Sequence, residues 1–186
     1  MAVRNMALCG LFAALLALSS QVVIPLGPVP HTLQIFFVLL AGMILGSRFG
    51  AISVLVWVAL GIFGLPVFAQ GKAGLSVVAG PTGGFLLGFV CCAFVVGWLT
   101  ERTEGSYGRT AAVMLLGLAI AYGIGLIGFM FSFKYFLAKP MNWYTAATLA
   151  VIPFLPFDLI KTLMAAYIGV RIRRALIHSG LVGTHK

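Results

Sequence analysis

Residues 32–65 read TLQIFFVLLAGMILGSRFGAISVLVWVALGIFGL, with Arg48 as their one formal charge. An apolar run of this length belongs in a lipid bilayer, where one helical crossing takes about 20 residues. Gly46-Ser-Arg-Phe-Gly50 interrupts the run with the residue types of a tight polar turn. The stretch therefore reads as two spans, at about residues 32–46 and 51–65, that meet at Arg48.

The rest of the chain repeats this pattern outward from the turn. No charge occurs between Arg4 and Arg48, and the strong break in that interval is Pro25 to Pro30, which sets a first span at about 4–24. The opening resembles a signal peptide, with Arg4, an apolar run from Met6 to Leu18, then Ser19 and Ser20. Apolar residues continue through Val22 to Ile24, however, and favour a retained helix. Further spans are expected at 83–100, 110–133 and 153–171, with breaks at Glu101–Arg109 and Lys134–Tyr144. Residues 66–83, rich in glycine and carrying Gln70, Lys72, Pro81 and Thr82, are not expected to form one continuous helix.

The expected fold class is thus an all-α integral membrane protein of six transmembrane helices in a single domain, 1–186. A composition 62% hydrophobic and 8% charged agrees, and six crossings leave no room for a soluble domain that hydrolyses ATP. The net charge of +9 would suggest nucleic acid in a soluble protein; here it sets orientation. Arg4, Arg48, Arg102, Arg109, Arg171, Arg173, Arg174 and Lys186 fall on one side, and Lys72, Lys134 and Lys139 on the other. By the positive-inside rule both termini are cytoplasmic, and 21–31, 66–82 and 134–150 form outer loops. Trp98 and Tyr107 near the inner boundary, and Tyr135, Trp143 and Tyr144 near the outer one, suit interfacial belts.

Chemistry is concentrated in Pro153-Phe-Leu-Pro-Phe-Asp-Leu-Ile-Lys161. Asp158 and Lys161 lie about 60° apart around a helix and one turn apart in depth, so they share a face. Ionisable groups at membrane depth mark a polar solute site, or else a salt bridge that fixes helix packing. The pair is a poor metal site, because lysine seldom ligates and no His or Cys cluster accompanies it. Cys9, Cys91 and Cys92 read as packing residues, and His31 as a solvated loop histidine. Gly80-Pro-Thr-Gly-Gly84 is no phosphate loop, since no Gly-Lys-Ser/Thr follows. Glu101, Arg102 and Glu104 read as a solvated charge cluster on the cytoplasmic side, and the chain offers no paired carboxylate on the outer side, no zinc helix and no nucleophile elbow, so it is not expected to be an enzyme. In the first span Gly10 and Ala14, and Ala13 and Ala17, are small residues spaced for close helix approach.

Five stretches taken in order resemble the BioY family, the substrate-binding membrane components of energy-coupling-factor biotin transporters. They are Val29-Pro-His-Thr-Leu-Gln34, Leu45-Gly-Ser-Arg-Phe-Gly-Ala51, Gly64-Leu-Pro-Val-Phe-Ala69, Gly80-Pro-Thr-Gly-Gly-Phe-Leu-Leu-Gly88 and the Pro153–Lys161 stretch quoted above. The resemblance implies high-affinity biotin binding near the outer face of a six-helix bundle in the cytoplasmic membrane. It implies ligand contacts from Asp158 and Lys161, with Gln70, Gly71 and Lys72 in the pocket or its cover. It further implies partners, namely a transmembrane coupling subunit docked on Ala13 and Ala17, and ATPase subunits. No cofactor and no nucleic acid are implied.

Biotin's chemistry suits these residues. Asp158 can accept from the ureido N–H groups, Lys161 can donate to the ureido carbonyl, and Phe68 and Phe85 can cover the fused ring. Two departures stand out: Phe157 where the family commonly has glycine before the acid, and Gln70 and Lys72 where many relatives have small residues. The alternative is a stand-alone facilitated or proton-coupled biotin transporter, with Asp158 as the proton carrier.

Overall fold

The computed structural model describes residues 2–24, 29–102 and 106–178. Its helices are α1 (Ala2–Gln21), α2 (Gln34–Ile62), α3 (Leu75–Ala79), α4 (Gly83–Thr100), α5 (Tyr107–Tyr135), α6 (Trp143–Ala150) and α7 (Leu155–His178), with a 3-10 turn at Ala69–Gly71. Among the described residues four helices are long and apolar enough to cross a membrane: Val3–Gln21, Gln34–Ile62, Gly83–Thr100 and Tyr107–Tyr135. Trp143–Ala150 and Leu155–Leu176, bent by 56°, make a fifth if taken as one span.

The expected spans at 32–46 and 51–65 both map onto α2, which begins at Gln34, ends at Ile62 and is not straight. Gly46 sits at φ 80°, ψ 179°, a conformation open to glycine, and breaks the helix into two limbs. A Cβ placed on Gly50 would stand 2.8 Å from the Gly42 Cα, whereas a straight helix separates residues eight apart by about 12 Å. The limbs therefore fold back on each other. The break frees the Ser47 N–H, which donates to Glu101 Oε1 at 2.8 Å, with Ser47 Oγ donating to the same oxygen at 3.2 Å. An acid at this helix start also suits the helix dipole. Glu101, exposed together with Arg102, is thus also a cap; Glu104 lies outside the described residues.

Contacts between helices give their directions. Cys9 Sγ approaches Phe49 O, and Ser20 Oγ approaches Val67 O, so α1 runs alongside the second limb of α2. Lys161 reaches Thr32 O near one end of the bundle, and Arg173 reaches Thr100 O near the other. The start of α1, the Gly46 turn, the end of α4 and the last turns of α7 accordingly share one end, with Arg48, Arg102 and Arg173. Small residues let backbones meet inside: a Cβ on Gly84 would stand 2.7 Å from Gly128 Cα, and one on Gly88 2.6 Å from Ala121 O. Around these contacts Trp57, Leu39, Val54, Met114 and Val96 form the buried core.

The segment 134–150, expected to be an outer loop, contains a helix instead. Asn142 starts α6 by accepting from the Thr145 N–H at 2.8 Å.

Candidate functional site

The first limb of α2, Gln34–Leu45, is about 18 Å long at helical rise, short of the about 30 Å of a bilayer core. Its N-terminal residue, Gln34, is accordingly buried, and the space beyond it is bounded by irregular chain. There, at the end of the bundle opposite the Gly46 turn, lies a cavity of about 420 Å³, within the size range of small-molecule sites.

Asp158 lines this cavity, 8% exposed, in the first turn of α7. Its Oδ1 accepts from Lys161 Nζ at 2.7 Å, and its Oδ2 accepts from the Tyr122 hydroxyl at 2.7 Å. Each carboxylate oxygen retains capacity for a further donor. Lys161 Nζ also donates to Thr32 O at 2.7 Å and is not among the cavity-lining residues. The acid therefore meets the cavity, while the lysine ties it to the chain segment before α2.

Of the other residues singled out from sequence, Phe68, Gln70, Lys72 and Phe85 line the cavity. Phe68 is anchored edge-on against Trp57, at 5.5 Å between ring centroids, and Phe85 edge-on against Tyr122 at 6.4 Å. Gly71 does not line it; its N–H donates to Gln21 Oε1 at 3.1 Å. Ala13 is 2% exposed within the core and Ala17 is half-buried against it, so Ala13 offers no free docking face. Among the described residues the exposed small residues of α1 are Ala7, Gly10 and Ala14, on the other side of the helix.

Sequence reading missed Tyr122, Thr32 and Gln34. All three line the cavity, and the Thr32 hydroxyl donates to Gln34 Oε1 at 2.7 Å, turning the Gln34 carboxamide donors elsewhere. Tyr122, a hydroxyl-bearing residue in the aliphatic run of α5, was the available signal.

His31 is buried, 3% exposed, rather than solvated. Its ring stacks on Phe154 at 3.8 Å, Phe157 meets it edge-on at 5.6 Å, and its Nε2 lies 3.0 Å from Pro153 O. The departure to Phe157 thus supplies a brace for His31. Burial holds the imidazole below its ordinary pKa of 6.5, with Lys161 adding to the effect and Asp158 opposing it. A neutral ring fits, donating from Nε2 to the Pro153 carbonyl. Among the described residues no three His, Cys, Asp or Glu side chains gather to hold a metal.

Comparison with known proteins agrees with this architecture. The model of the BioY family matches residues 1–178. The chain is 41% identical over 176 residues to the biotin transporter BioY of Thermotoga maritima, covering 92% of this chain and 96% of that protein. It is 43% identical to the biotin transporter BioY of Rhodobacter capsulatus, covering 89% and 91% of the two chains. A solved S-component for biotin from an ECF-type ABC transporter superposes with a TM-score of 0.83 at 26% identity, over 92% of each chain. These relatives are transporters rather than enzymes, and with its membrane-length helices the chain belongs to the BioY family.

Proposed function

We propose that this chain binds biotin in the cavity bounded by Asp158 and Tyr122, and serves as the substrate-binding subunit of an ATP-driven energy-coupling-factor transporter. The observation that carries this reading is the Asp158 carboxylate, oriented by Lys161 and Tyr122 at 2.7 Å each and open to the cavity. A ureido group presents two N–H donors to such an acceptor, and hydrogen bonds to a charged group contribute about 1.5–3 kcal/mol each. Phe68, Phe85, Phe89 and Leu86 supply the apolar wall for a thioether ring. Lys72 lies at the same cavity as a cation for the tail carboxylate.

Lys161 acts in this reading by positioning Asp158, since its ammonium already serves Asp158 and Thr32. That ion pair argues against Asp158 as a lone proton carrier. The fold-back at Gly46 supports a crossing by each limb of α2, and with α6–α7 as one broken span this gives six. Arginine clustered at the Gly46 end supports a cytoplasmic location for that end and both termini, and an outward-facing cavity in the cytoplasmic membrane.

Transport would then draw energy from ATPase subunits through a transmembrane coupling subunit. The exposed Gly10 and Ala14 of α1, rather than Ala13 and Ala17, offer the close-approach face for that subunit. Uptake of labelled biotin by cells expressing the chain with and without the coupling and ATPase subunits tests the assignment. Accumulation that needs those subunits and ATP supports it; equal accumulation without them contradicts it.

A further inference from the structure

Gln21 ends α1 outside the cavity, yet its carboxamide grips the segment that forms part of the cavity wall. Its Oε1 accepts from the Gly71 N–H at 3.1 Å, and its Nε2 donates toward Phe68 O at 3.1 Å and Pro66 O at 3.3 Å. Beside it the Ser20 hydroxyl stands 2.6 Å from Val67 O, which also accepts from Trp57 Nε1 at 2.9 Å. Among the described residues, these side chains make every hydrogen bond that ties 66–73 to a helix. The segment so held carries Phe68, Ala69, Gln70 and Lys72 to the cavity.

This strap is built as a unit. Gly74 N–H closes its base on Gly61 O at 2.7 Å, and glycines with positive φ, Gly64 at 101° and Gly74 at 90°, stand at its two ends. A carboxamide suits the latch because it accepts and donates at once. A carboxylate would keep the Gly71 contact but set an oxygen against the Pro66 and Phe68 carbonyls. An aliphatic side chain would lose both contacts.

We propose that Gln21 is a positioning residue that latches this strap over the bound solute, so that the rate at which biotin leaves depends on breaking the latch. The proposal rests on the biotin reading above. It also places the latch and the exposed Gly10–Ala14 face on one helix, so that a partner gripping α1 acts on the strap.

The test measures loss of preloaded labelled biotin from the detergent-purified full chain, with hydrogen exchange of residues 66–74 read by mass spectrometry. Gln21→Leu and Gln21→Glu are expected to release biotin about tenfold faster than the native chain, the effect of roughly one to two hydrogen bonds. Exchange in 66–74 should rise while exchange in α4 and α5 and the melting temperature stay native. Native release rates in both variants would overturn the latch, as would faster release with exchange raised throughout the bundle. Should Gln21→Leu not fold, Gln21→Glu, which keeps a polar group at this exposed position, carries the same test. A native chain that does not bind biotin defeats the biotin reading instead; the latch is then decided by exchange alone, and unchanged protection of 66–74 in the variants overturns it.

Discussion

The Tyr122 hydroxyl donates to Asp158 Oδ2 at 2.7 Å, on the carboxylate oxygen that Lys161 leaves free. An acid on α7 is thereby aimed by a phenol on α5, across the cavity that both residues line. Removing the phenol should leave the ion pair in place and loosen its aim. Tyr122→Phe is expected to weaken biotin binding about tenfold, as one charge-assisted hydrogen bond implies, with little change in melting temperature. Calorimetry with the purified variant checks this.

Lys161→Met removes the partner of a buried carboxylate. Breaking such a pair by deleting one member typically costs about 3–5 kcal/mol, because the remaining charge is uncompensated. The melting temperature should fall markedly, and Asp158→Asn in the same chain should restore part of it. A double variant no more stable than Lys161→Met would show that the loss does not come from an uncompensated carboxylate.

Phe68 is 2% exposed and packs against Trp57 and Gly61, so it pins the strap as well as lining the cavity. Phe68→Ala is expected to cost about 3–5 kcal/mol if the space stays open, and to weaken biotin binding at the same time. Thermal unfolding and binding measured on one preparation separate the two effects.

His31 gives a pH dependence whose sign follows from its burial. Its folded pKa lies below 6.5, so the unfolded chain takes up the proton more readily than the folded one. The stability it contributes is present above 6.5 and declines as pH falls from 6.5 through the folded value. Melting temperature should therefore drop on acidification over that window. His31→Gln, which can still donate to the Pro153 carbonyl, should flatten the drop.

Local signals were legible in the sequence. The span at 83–100 coincides with α4, because Gly83 and the charges after Thr100 mark its ends within the sequence itself. Gly46 was readable as a turn, and Asp158 was conspicuous as an acid in an apolar helix. Features that depend on distant chain were not. Tyr122 meets Asp158 across 36 residues, and Thr32 O meets Lys161 across 129, so neither is written in any local spacing. His31 reads as a loop residue and is buried because Phe154 and Phe157 pack over it. On α1 both small-residue pairs fit the four-residue spacing, and only packing decides that Ala13 faces inward and Gly10 and Ala14 outward.

In the proposed binding mode the Asp158 carboxylate is the group that holds biotin in this cavity. Isothermal titration of the detergent-purified chain with biotin, set beside Asp158→Asn, decides whether it does. The native chain should bind tightly and select biotin over an unrelated vitamin. Asp158→Asn should bind about 100-fold more weakly while remaining folded, from the loss of roughly two charge-assisted hydrogen bonds. Equal affinity of the two folded proteins for biotin would contradict it.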